Sequence, residues 1–126
     1  MNVTKIFSQL ELERGHRNEE RALEVIISAK LNWVHSARLA TKEEDSRGID
    51  IVLETDIGQL FFQIKSSYYG MKKFIDKHGN SRTRIAIIIL NRFLIEESFQ
   101  RKVLEAVNCE RNAILAMREQ VQEDSF

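Results

Sequence analysis

Proline is absent from this 126-residue chain, which removes the commonest punctuation between secondary-structure elements. The single cysteine, Cys109, excludes an internal disulfide and suits a reducing compartment. No apolar stretch approaches the roughly 18 residues of a membrane span, and Ile85 to Leu90 is far too short. The opening MNVTKIFSQLELERGHRNEE carries charges where a signal peptide needs an apolar core, so a soluble, cytoplasmic protein is expected. A Gly-rich phosphate loop, a Ser-His-Asp order with a nucleophile elbow and a cysteine pair are all missing. His35 and His78 are not spaced to share a transition metal with Cys109, and His16 has no evident partner, so no zinc is expected.

Net charge is also lacking: 19 basic side chains meet 19 acidic ones. That balance argues against a stand-alone tight binder of duplex nucleic acid, whose affinity rests on neutralising phosphates. The distribution is less even. Lys65, Lys72, Lys73, Lys77, Arg82 and Arg84 cluster against only Asp76, while acids gather at Glu11 to Glu24, at Glu43 to Asp45 and in the tail. A basic patch is expected from that cluster.

With 43% hydrophobic and 30% charged residues the chain reads as one globular domain, with no repeat, linker or low-complexity tract. Asn18 caps a predicted helix from Glu19 to about Leu31, with Leu23, Ile26, Ile27 and Leu31 at helical spacing. Trp33 to Ala40 alternates as a strand, and Thr41 to Arg47 reads as polar loop. Strands follow at Gly48 to Thr55 and Gln59 to Ser66, joined at Asp56-Ile57-Gly58. Tyr68 to Lys77 suits a short helix ending at His78-Gly79-Asn80. Arg84 to Asn91 is a continuous apolar strand of the kind covered on both faces. Glu96 to about Glu119 is helical, either as one helix or as two broken near Asn108. The order helix-strand-strand-strand-helix-strand-helix predicts an α/β fold, a mixed four-stranded sheet flanked by helices.

Two tripeptides carry the chemistry. Gly48-Ile49-Asp50 and Gln63-Ile64-Lys65 sit on consecutive strands whose side chains alternate between faces. Paired as a hairpin, they put Ile49, Ile51, Leu53, Leu60, Phe62 and Ile64 on one apolar face. The other face gathers a carboxylate (Asp50), an amide oxygen (Gln63) and an ammonium (Lys65). Those groups are the inventory of metal-assisted phosphodiester cleavage.

This order, with the acid and the lysine on the second and third strands, resembles the PD-(D/E)XK nuclease superfamily over roughly Asn18 to Asn91. Restriction endonucleases and Holliday-junction resolvases belong to it. Two departures stand out: Ile49 replaces a common proline, and Gln63 replaces the third-strand glutamate, a Q-x-K version known within the superfamily. The resemblance implies Mg²⁺ or Mn²⁺ held by Asp50, Gln63, the Ile64 carbonyl and a helical acid ahead of the strands. Glu20 is expected in that last role, with Glu19 and Glu24 competing. Lys65 would orient or deprotonate the attacking water, or offset transition-state charge. Ser66, Ser67, Lys72, Lys73, Arg82 and Arg84 would contact phosphates, and Tyr68-Tyr69 sugar or base. The expected activity is metal-dependent DNA hydrolysis by a homodimer joined through the C-terminal helix, or by a chain with a targeting partner. The alternatives are a catalytically inactive nuclease-fold module and a purely structural α/β protein with an ordinary Asp50–Lys65 ion pair.

Overall fold

The computed structural model describes residues 17–78 and 82–124. Helix α1 covers residues 17–29, followed by β1 (Val34–Leu39), α2 (Lys42–Ser46), β2 (Ile51–Thr55), β3 (Gly58–Lys65), α3 (Tyr68–His78), β4 (Ala86–Ile89) and α4 (Glu96–Asp124). The strands form one sheet in the order β1-β2-β3-β4. β1–β2 and β2–β3 are antiparallel and β3–β4 is parallel, so the molecule is a small α/β domain with a mixed four-stranded sheet and flanking helices. α3 forms the crossover that a parallel pair requires. No helix among the described residues is long and apolar enough to cross a membrane.

The hairpin register pairs Ile51 with Phe62 and Leu53 with Leu60, which places these four of the expected set on one face, while Ile49 is buried before β2 begins and lies outside the core cluster on that face. Ala22 and Ile26 of α1 and Phe99, Val103 and Val107 of α4 close over it, together with Ile64, Ile88 and Leu90. Arg21 ties the two helices, bonding Glu96 at 2.8 Å with its guanidinium 4.0 Å from the Phe99 ring centroid. The opposite face is only partly covered. Ile88 is buried, but Ile87 and Ile89, in register with Gln63 and Lys65, are half-exposed. The apolar run of β4 is therefore not sealed on both sides, because α3 is short and buries only Phe74.

One helix differs from expectation, and a second resolves an alternative left open. The stretch read as polar loop contains α2, built on a capping box: Glu44 N–H donates to Thr41 Oγ1 (3.2 Å) and Thr41 N–H to Glu44 Oε1 (2.9 Å). Arg38 grips the same carboxylate from β1 with two bonds of 2.6 and 3.0 Å, and with the Thr41 N–H holds Glu44 down to about pKa 2. At the other end, α4 is one unbroken helix. Asn108 does not interrupt it, because its amide donates back to the Leu104 carbonyl at 2.9 Å. The expected turn at Gly79-Asn80 lies outside the described residues.

Glycine matters at two places. Gly58 (φ +104°) takes the left-handed position that closes the β2–β3 turn, with open space where a side chain would stand. Gly48 (φ +88°) also lies against Phe74, whose ring a Cβ would meet at 2.5 Å. Gly58→Ala should therefore cost only the left-handed backbone, about 1–2 kcal/mol. Gly48→Ala should cost a further ~1–3 kcal/mol for the clash. Chemical denaturation of the two variants checks that order.

Candidate functional site

The site begins where β2 parts from β3. Gly48 N–H donates to Asp45 O (2.9 Å) and Ile49 N–H to Glu44 O (3.1 Å), so the chain leaves α2 and turns sharply into the sheet. Asp50 follows, 4% exposed. Its own N–H reaches Phe62 O at 2.8 Å, and its carbonyl accepts from Ala40 N–H at 2.8 Å. The next donor on β3, Ile64 N–H, goes to the Asp50 side chain, Oδ2 at 2.8 Å. The carboxylate thus stands in for the backbone acceptor that the departing strand no longer supplies.

The first turn of α1 brings Glu19, and not Glu20, to this carboxylate. Glu20 is exposed, whereas Glu19 is half-buried and hydrogen-bonded to Asp50. The helical phase explains the difference. The stripe Leu23, Ile27, Leu31 points to Glu20, yet Ile27 is 55% exposed and the fully buried pair is Ala22 and Ile26. That pair shares its face with Glu19, one turn earlier. Burial, then the negative charge and hydrogen bond of Asp50 and the charge of Asp45, push Glu19 up to about 8, with Lys65 opposing. Asp50 is also raised, mainly by burial, against the pull of the Ile64 N–H. A bond between two carboxyls needs one proton, and Glu19 carries it.

Gln63 adds a third oxygen. The residue is 8% exposed, and its Oε1 is buried without a hydrogen-bond partner. An amide oxygen in that state is costly, by about 1–3 kcal/mol. Lys65 follows on the same face, its Nζ 5.7 Å from the Phe74 ring centroid. Asp45, Gly48, Gln63 and Lys65 line one open depression, whose far wall is Lys73, Phe74, Lys77 and His78 of α3. Among the described residues no group of three or more His, Cys, Asp or Glu is arranged to hold a metal ion. Glu19 and Asp50 meet as a carboxyl pair, and the Gln63 amide stands on the neighbouring strand, one position beyond the Ile51–Phe62 pair. Carboxyl and amide oxygens are the ligand types a hard divalent ion takes while keeping several waters.

The remaining expected residues divide. Lys73 lies at the rim, over the Tyr69 ring at 4.8 Å, and Tyr68 and Tyr69 are 75% and 69% exposed. Ser66, Lys72 and Arg82 are exposed. Ser67 caps α3, its Oγ accepting from Gly70 N–H at 3.2 Å. Ile64 lies in the β3–β4 ladder opposite Ile88. Arg84 is committed elsewhere: it forms a two-point pair with Glu110 of α4 at 2.9 and 2.8 Å, and Glu110 is 6% exposed. Asp45 was not foreseen as a site residue, although the T-x-x-E box that places its helix stands in the sequence at Thr41 to Glu44.

Comparison with protein-family models, with curated proteins and with solved structures finds no match to this chain.

Two expectations follow. Folded Glu19 keeps its proton up to about pH 8, while unfolded glutamate releases it near 4.3. In EDTA the stability gained from that proton should be complete below about pH 4 and lost as pH rises through about 8. Glu19→Gln should remove most of this slope in thermal melts across the window. Arg84→Ala should cost about 1–3 kcal/mol in denaturant melts by stranding the buried Glu110 carboxylate.

Proposed function

We propose that this protein is a divalent-metal-dependent nuclease of the PD-(D/E)XK type that hydrolyses phosphodiester bonds in DNA. The observation that carries the reading is the Gln63 Oε1 atom, buried and unbonded on the strand next to the one that delivers Asp50 and its hydrogen bond with Glu19. An unsatisfied acceptor and crowded negative charge are relieved together by one cation. The hairpin bearing Asp50 and Lys65, followed by a crossover to a parallel β4, has the element order that the resemblance implies.

Asp50, Gln63, the Ile64 carbonyl and Glu19 would hold Mg²⁺ or Mn²⁺, with Glu19 in the place expected of Glu20. A divalent ion bound there would polarise the scissile phosphate and acidify the attacking water. The chain's own groups do the rest. Asp50 is held in place by the Ile64 N–H and is 4% exposed, so its carboxylate is positioned before any ligand arrives. Glu19, protonated against Asp50, would have to give up that proton to join in holding the ion. Lys65 Nζ orients the attacking water and offsets charge at the phosphorus. Ser66, Lys72, Lys73 and Arg82 would hold the phosphate backbone, with Tyr68 and Tyr69 against sugar or base. A homodimer through the exposed end of α4, where Met117 and Val121 are 46% and 65% exposed, would join two basic patches and compensate for zero net charge.

The test is cleavage of supercoiled plasmid, single-stranded DNA and a four-way junction with Mg²⁺, Mn²⁺ or EDTA. Cutting should need metal and fall at least about a hundredfold in Asp50→Ala and Lys65→Ala, while Glu20→Gln cuts normally. Metal-independent cutting, or cutting that survives both substitutions, would refute the assignment. DNA binding without cleavage in wild type and variants alike would instead favour the inactive module, the reading that the neutral Gln63 supports.

A further inference from the structure

Resting on that reading, we infer that Asp45 of α2 is a metal-positioning residue, supplying through the cation's water shell the negative charge that Gln63 lacks. A third-strand glutamate would have given the site a further carboxylate, and the glutamine gives a neutral oxygen. The shortage is visible at Gln63, more than nine-tenths buried with its Oε1 unbonded. Asp45 shares the depression with Gln63 and Lys65. Its side chain makes no hydrogen bond or ion pair among the described residues.

Its position is not casual. Asp45 directly follows Glu44, which the capping box and Arg38 lock in place. The Asp45 carbonyl accepts from Gly48 N–H, so its backbone is part of the turn that delivers Asp50. Its carboxylate lies close enough for its charge to act on both Glu19 and Asp50. The described acids do not form a direct three-carboxylate cage. Mg²⁺ dehydrates reluctantly, and carboxylates commonly hold it by accepting hydrogen bonds from its waters. Asp45 fits that outer position.

Mn²⁺ binding by the full chain, read from the electron paramagnetic resonance of free Mn²⁺, tests this without any turnover. Asp45→Asn should weaken binding by about ten- to a hundredfold, the usual effect of losing an outer-shell partner. Glu43→Gln, on the same short helix, should leave it unchanged. Asp45→Asn combined with Gln63→Glu should recover most of the affinity, because the missing charge returns at the strand. If Asp45→Asn binds Mn²⁺ like wild type while Asp50→Asn does not, the inference fails and the metal site stands. If wild type binds no Mn²⁺, both fail together.

Discussion

The hydrogen bond from Ile64 N–H to the Asp50 carboxylate is the joint on which the rest of the site turns. Inside a sheet every backbone donor needs an acceptor, and a strand that leaves the ladder normally strands one. Here the departing strand fills the gap with its own side chain. β2 can therefore turn away at Gly48 without leaving an orphan on β3. That departure opens the depression beside Gln63 and Lys65 and lets the first turn of α1 reach the same spot. Replace Asp50 with an apolar residue and the Ile64 donor is buried unpaired. The residue that would bind metal is thus also the one that holds the sheet together at the fork.

The site concentrates polar cost that the rest of the molecule avoids. Two carboxyls share a proton, an amide oxygen lacks a partner, and a third carboxylate stands nearby. Elsewhere, several charges are matched across elements. Arg84 holds Glu110, Arg111 grips Asp56 in the β2–β3 turn, and Arg118 donates to the Ile57 carbonyl beside it. These contacts pin the long α4 across the sheet, with Arg111 also stacked 5.0 Å from the Trp33 ring centroid. A protein that satisfies its charges so carefully in one region and leaves them frustrated in another has a use for the second region. Unrelieved polar groups that a scaffold could have satisfied are the usual mark of a functional site.

Much of the architecture was legible because it follows from periodicity. The alternation at Leu60, Phe62 and Ile64, and the spacing of Phe99, Val103 and Val107, each admit one way to bury apolar surface. The two signature tripeptides were legible for the same reason, since a strand fixes which face Asp50, Gln63 and Lys65 share. The errors came where periodicity was ambiguous or irrelevant. α1 is apolar over so wide an arc that its stripe could be read toward Glu19 or Glu20, about 100° apart. α2 is too short to have a period and is held by a cap and an arginine from β1. Arg84 resembles any cation in a basic run, and nothing local reveals an acid 26 positions away.

The sequence by itself determined the α/β class, the hairpin that pairs Asp50 with Gln63 and Lys65, and its apolar back. All of these depend on short-range alternation and on burying a contiguous face. Only the tertiary structure decided which helical acid meets Asp50, which cations remain at the rim, that Asp45 enters the depression, and that the Gln63 oxygen is left without a donor. Those outcomes depend on how separate elements dock. Docking is set by the sum of many side-chain contacts across the core, a quantity that no local stretch of the chain contains.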